Sequence, residues 1–380
     1  MIGGDLRLGF IPLADCAPLA VADAMGFFEA EGLQVSLSRE ASWATVRDKV
    51  QARLLDGAHM LGPMPLASTL GVGGERVHLV APMALNLNGS AISVSRGLAD
   101  RMRMVDPEAM AARSAAPLRR VIEERGAAGA APLTLAAVFP YSIHAYALRH
   151  WLAEAGIDPD RDVRLVITPP PRMTAQLRSG EIDGFCVGAP WNAAAEADGS
   201  GEILVRTREL WPGAPDKVLG VSAAFAEREP ETLQALMQAL IKAAAWADQA
   251  ENRPALARLL ARPEYVGEPE RLLARALVEA PEAMLFHASG AGFPWLSQAV
   301  WFLAQMRRWG QIGAEVDVTA AARAVYRPDL YRRAAAEAGA PIPDSDWKTE
   351  GGYAQRAFDA AALESYLDGF AIRRERAPVV

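Results

Sequence analysis

The stretch from Leu133 to Asn192 constrains the fold more than any other part of the chain. Three apolar runs of strand length (LTLAAVF from Leu133, VRLVIT from Val163, IDGFCVG from Ile182) alternate with two segments of helical periodicity, His144 to Glu154 and Arg172 to Gly180. That alternation is the pattern of a β-α-β-α-β unit with parallel strands. In an open α/β sheet, ligands gather beyond the carboxyl ends of the strands. Ser142 and His144 follow the first of these strands and Gly188 to Trp191 follow the third, so both groups are expected to face one crevice.

A similar unit opens the chain. Residues 6–11 read as a strand, and ADCAPLAVADAMGFFEAEG reads as one amphipathic helix with Pro18 near its first turn and Gly32 just past its end. LQVSLSRE alternates Leu33, Val35 and Leu37 as a second strand, after which Ser42 is the expected N-cap of a helix. Trp43, and Pro63 to Pro65, again follow strands. VHLVAPMALNLNGSAISVS is apolar and β-rich but broken by Asn86, Asn88, Gly89 and Ser90, and suits a passage from one lobe to another; WPGAPDKVLGVSAAFAERE suits the return. The expectation is therefore an α/β protein of two lobes, with parallel-rich sheets flanked by helices and a cleft between them. Residues 1–91 and 216–380 are assigned to a discontinuous domain I with a helical C-terminal region, and residues 92–215 to an inserted domain II.

Composition limits the functions such a fold serves. With 51% hydrophobic and 22% charged residues the chain can build a substantial core, and a net charge of −7 argues against direct contact with nucleic acid. No apolar run approaches the roughly 20 residues that span a bilayer. The first strand begins at Leu6, leaving no room for a basic and apolar leader, so cytoplasmic residence is expected. Cys16 and Cys186 have no CxxC or metal-type spacing and read as small buried hydrophobes. No GxGxxG, Walker, GxSxG or HExxH pattern occurs, so neither an enzyme nor a cofactor is expected. Glu40 and Asp48 read as capping and solvated groups, His59 as a packing or supporting histidine, and His78, His150 and His287 as histidines without evident partners.

Taken in order, GFFEAEGLQVSL, REASWATVRDKV, LDGAHMLGPMPL, LNLNGSAISVS, the His144 helix, GFCVGAPWN and ELWPGAPDKVLGVS resemble the NrtA-like nitrate/bicarbonate branch of the type II periplasmic-binding-protein fold. The match runs through nearly the whole chain. Within that branch REASWATVRDKV and LDGAHMLGPMPL look most like the NasS-type nitrate/nitrite sensors. The resemblance implies a cytoplasmic protein that binds nitrate or nitrite between its lobes and controls a NasT-like ANTAR-domain RNA-binding antiterminator. The alternative it leaves is the substrate-binding protein of a nitrate ABC transporter. An enzyme of thiamine-precursor synthesis on the same fold would need a catalytic constellation that the sequence does not offer.

Nitrate is a planar monoanion, and a site for it needs several donors, a fixed positive charge and a flat wall. Lys217 offers a compact charge in the return crossing. His144 lies in the first turn of a helix that Ser142 can cap, beside backbone donors and a dipole that attract anions. Trp43 and Trp191 offer indole faces and N–H donors, and Gly188 lets backbone approach closely. The resemblance implies that the histidine of the FP-x-x-x-H segment and the tryptophans of SWAT and GAPW touch the anion. It also implies a polar ligand from the LNLNG region, where Asn86, Asn88 and Ser90 all qualify; Asn88 and Ser90 complete the candidate set of Trp43, His144, Gly188, Trp191 and Lys217.

Overall fold

The computed structural model describes residues 5–280, 284–353 and 356–374. Strands β1 (Leu6–Phe10), β2 (Val35–Arg39), β3 (Gly57–Leu61) and β4 (Leu79–Ala84) precede a short β5 (Leu87–Asn88). There follow β6 (Ser90–Ser95), β7 (Thr134–Ala137), β8 (Arg164–Ile167), β9 (Gly184–Gly188), β10 (Gly201–Arg206), β11 (Lys217–Ser222) and β12 (Met284–Leu285). Two five-stranded sheets result, in the orders β2-β1-β3-β11-β4 and β10-β6-β9-β7-β8. Each has the expected parallel trio, β2-β1-β3 in one and β9-β7-β8 in the other. Each is extended by antiparallel strands, because the chain passes between sheets once from β4 to β6 and once back from β10 to β11. The first sheet thus draws on residues 6–84 and 217–222, and the second on 90–206.

Two elements differ from the sequence reading. The expected first helix is three pieces: a 3-10 turn at Ala14–Cys16, a helix at Ala17–Ala24 and a short turn of helix at Phe27–Ala30. Gly26 between the last two has φ 72°, a left-handed conformation that ends a helix. The long outward crossing is also broken, because Asn88 (φ 64°) and Gly89 (φ 96°) both leave the β region. β5 turns aside there to pair with β12, and β6 starts anew in the second sheet.

The core does not divide at the cleft. The helix Leu296–Arg308 is buried along almost its whole length, and its Trp301 packs at 4.7 Å from Trp211, 5.5 Å from Tyr353 and 6.3 Å from Tyr146 between ring centroids. Tyr146 belongs to the helix Ile143–Glu154 of the second sheet's layer. Its hydroxyl donates to Gln311 at 2.8 Å, and Gln311 donates to the Pro140 carbonyl. Arg308 reaches Nδ1 of His150 at 3.1 Å, and His150 lies 4.8 Å from the Tyr353 ring. His150 therefore has partners that sequence spacing did not disclose. On another flank, Arg275 bridges to Glu196 at 2.7 Å.

Candidate functional site

Where the strands end, five separate segments converge. The turn after β1 carries Asp15, β3 carries His59, β6 opens with Ser90, the helix Ile143–Glu154 carries His144 in its first turn, and β11 opens with Lys217 directly after Asp216. All six side chains are buried. Main-chain hydrogen bonds lock the segments together: the amide of Ala14 donates to Ala189 O at 2.9 Å, and the amide of Ala189 donates to Gly89 O at 3.0 Å. Ser142 caps the His144 helix by accepting from the Ala145 amide at 3.0 Å, and Ser42 caps the Trp43 helix by accepting from the Thr45 amide.

Lys217 is the centre. Its Nζ is wholly buried, 2.8 Å from Asp15 Oδ2 and 2.5 Å from Asp216 Oδ1, and 5.6 Å from the centroid of the Trp43 ring. His59 Nε2 stands 2.9 Å from the other Asp15 oxygen, and its ring lies 5.3 Å from Trp43. Ser90 Oγ links the two sides of the site, donating to Asp216 Oδ2 at 3.1 Å and lying 3.0 Å from His144 Nε2.

Burial sets the charges. It pushes the Asp216 carboxyl up to about 6; Lys217 opposes that rise and Asp15 adds to it. For Asp15 burial acts in the same direction, but Lys217 and His59 outweigh it and hold the carboxyl below its ordinary range. Lys217 is held above the usual lysine value, the two carboxylates overcoming its desolvation. Burial, reinforced by the Lys217 charge, drives His144 well below 6.5, and burial lowers His59. At neutral pH the site therefore holds one ammonium, two carboxylates and two uncharged imidazoles.

Of the candidates from sequence, Trp43, Ser90, His144, Gly188 and Lys217 come together here. Gly188 ends β9 facing Asp15: a Cβ at this position would lie 3.1 Å from Asp15 Oδ2. Trp191 opens the next helix, three residues on, and shares no hydrogen bond, ion pair or ring contact with the Lys217 cluster among the described residues. The indole N–H groups of Trp43 and Trp191, and Nδ1 of His144, are buried without a protein partner.

Asn88 stands apart from the Lys217 cluster. Its left-handed backbone turns the amide toward the return crossing, where Oδ1 accepts from the amides of Gly213 and Ala214, each at 3.1 Å. Asn86 does similar work: its Oδ1 accepts from the Lys217 amide, and its Nδ2 donates to Asn88 O. Both asparagines brace the two crossings against each other, and Ser90 is the residue of this region that reaches the charged cluster. Glu40 is a correction to the solvated group expected. It is buried, accepting from Ser38 at 2.7 Å and Lys49 at 2.8 Å, whereas Asp48 is exposed beside Arg47. Sequence reading passed over Asp15, His59 and Asp216 as site residues.

Replacing Gly188 with Ala is expected to force Asp15 away from Lys217. Overpacking of a filled interior costs about 1–3 kcal/mol, and the check is the shift in denaturant midpoint against an exposed substitution such as Met104→Ala.

A family profile described as NMT1-like matches residues 4–261. The chain belongs to the NMT1-like family. It is 33% identical over 405 residues to the nitrate/nitrite binding protein NrtA of Synechococcus elongatus, covering 99% of this chain and 89% of that one. It is 35% identical over 385 residues to the nitrate import ATP-binding protein NrtC of Synechocystis, but spans only 56% of that protein's length. Among solved structures, the periplasmic nitrate-binding protein NrtA from Synechocystis PCC 6803 superposes with a TM-score of 0.89 at 30% identity, covering 97% of this chain and 98% of that one. The family member described here thus has the two-lobed periplasmic-binding-protein fold, as the sequence implied.

Proposed function

We propose that this chain binds nitrate or nitrite between its two sheets and works as the substrate-binding component of an ABC import system. The observation that carries the anion reading is the buried Lys217 beside the ring of Trp43, whose indole N–H, like Nδ1 of His144, no protein group satisfies. Such donors require an acceptor when they are withdrawn from water, and a planar oxyanion offers three. The geometry suits a small ligand, because the charged groups are packed within hydrogen-bond distance of one another.

The relatives weigh on the biological role. Nitrate import and nitrate/nitrite binding stand in the names of the proteins that this chain resembles along most of its length. They favour transport over the cytoplasmic sensor with an ANTAR-type antiterminator partner, which rests on motif resemblance alone. Co-purification with a permease or with a NasT-like protein separates the two.

Titration calorimetry with nitrate, nitrite and bicarbonate tests the binding. His144→Ala is expected to weaken nitrate binding roughly 10- to 150-fold, corresponding to the about 1.5–3 kcal/mol of a hydrogen bond to a charged group. Unchanged nitrate affinity in a folded His144→Ala protein would remove His144 from the site.

A further inference from the structure

We propose that Asp216, Ser90 and His144 form a proton relay that turns Nδ1 of His144 into a donor to the bound anion, so that nitrate enters together with one proton stored on Asp216. The proposal rests on the reading above that the cleft takes a nitrate-like monoanion, and it adds a selectivity mechanism to that site.

The geometry fixes the logic. Ser90 has one hydroxyl proton and two neighbours that compete for it, Asp216 Oδ2 at 3.1 Å and His144 Nε2 at 3.0 Å. When Asp216 is ionised it accepts that proton, since a carboxylate is acceptor only. Ser90 Oγ must then accept from His144, so the imidazole proton sits on Nε2 and Nδ1 is a bare acceptor. A bare nitrogen repels a nitrate oxygen. Protonating Asp216 on Oδ2 reverses every link: Asp216 donates to Ser90, Ser90 donates to Nε2, and the imidazole proton is on Nδ1. The change balances as uptake of one proton from solution. Nδ1 gains a proton, Nε2 releases one to Ser90 Oγ, and Ser90 releases its own to Asp216, leaving the imidazole uncharged. Nδ1 is buried and has no protein partner, so its proton is available to a ligand.

Charge balance favours the same direction. Lys217 on β11 contacts Asp216 Oδ1, and Asp15 on the turn after β1 shares that ammonium. His59 on β3 stands against Asp15. Cys186 on β9 and Tyr353 from the C-terminal segment also feel Asp216; burial above all raises the thiol and the hydroxyl, with Asp216 next for Cys186, and Cys186 and then Asp216 for Tyr353, so both are neutral. The cluster carries −1 with both carboxylates ionised. A bound monoanion makes it −2, and one proton returns it to −1. Asp216, already raised to about 6 by burial, is the carboxyl poised to accept it, and a neighbouring anion pushes it further the same way.

Ligand selectivity follows from the tautomer. Nitrate has no proton and needs Nδ1–H. Bicarbonate has its own O–H and can donate it to the bare Nδ1 while Asp216 stays ionised, so its binding takes up no proton.

The test is calorimetry on the whole chain with nitrate at pH 7.5 in imidazole, triethanolamine and Tris, amines that do not compete as anions. The binding heat is expected to vary with buffer ionisation enthalpy, with a slope of about one proton taken up. Linkage then gives a nitrate Kd that rises about tenfold per pH unit between about pH 7 and 8.5. Asp216→Asn fixes the relay in its donating direction, because the Lys217 ammonium claims the amide oxygen at the Oδ1 position and leaves Nδ2 to donate to Ser90. This variant is expected to bind nitrate with no proton uptake and an affinity flat with pH. Nitrate binding by the unsubstituted chain without buffer dependence overturns the relay and leaves the anion site intact, and it needs no variant to fold. Full uptake persisting in Asp216→Asn overturns the assignment to Asp216. Absence of nitrate heat in every buffer overturns the binding function and the relay with it.

Discussion

Lys217→Ala is expected to destabilise the protein by about 3–5 kcal/mol as well as abolish anion binding. The lysine is not an appendage that waits for a ligand. It is the one ammonium between Asp15 and Asp216, at 2.8 and 2.5 Å, and removing one member of a buried ion cluster leaves the others uncompensated. The loss depends on pH in a defined direction. Burial already raises Asp216 above its unfolded value near 4, and removing Lys217 takes away the main opposing charge, while Asp15 keeps only His59 against its own burial. A raised carboxyl contributes stability below the unfolded value and loses it as pH rises through the folded one. The deficit relative to the unsubstituted protein should therefore be largest at pH 7 to 8 and shrink toward pH 5. Adding Asp15→Asn and Asp216→Asn removes the unpaired charges and is expected to restore much of the denaturant midpoint without restoring nitrate binding. If Lys217→Ala alone unfolds at the normal midpoint, the cluster is not the electrostatic unit described above.

Trp301→Ala is expected to cost about 3–5 kcal/mol, the range for deleting a fully buried aromatic side chain. Trp301 touches Trp211, Tyr146 and Tyr353, and its Nε1 donates to the Tyr366 hydroxyl at 3.0 Å. The cavity would open where the helix Leu296–Arg308 meets both sheet layers, so chemical denaturation should show a lower midpoint, and nitrate affinity should fall although Trp301 does not belong to the charged cluster. A substitution at Met104, 79% exposed, is expected to stay within about 0.5 kcal/mol on the same measurement. Equal midpoints for the two variants would mean that the hub can collapse to fill the gap.

The parallel trios of both sheets were legible because a strand in such a unit is a short apolar run with turn residues at each end, as in LTLAAVF and IDGFCVG. The break at Gly26 was less so, since a glycine inside a helical pattern is tolerated unless it turns left-handed. The rule that placed His144, Gly188 and Trp43 at strand ends applies equally to Asp15, which follows β1, and Asp216 adjoins Lys217 in sequence. Neither was weighed as a site residue, although a lysine that is to be buried needs a counter-charge against its own desolvation. The turn that sets Asn88 aside and brings Ser90 to the cluster runs through left-handed backbone at Asn88 and Gly89, which residue type alone does not fix.

The two crossings between the sheets are more than connections, since each contributes to the charged cluster: the outward one supplies Ser90 and the returning one supplies Asp216 and Lys217. Asn86 and Asn88 bind the two strands of chain side by side. The same short stretches therefore serve both the charged cluster and the link between the sheets, so a substitution at Ser90 or Asp216 bears on both at once.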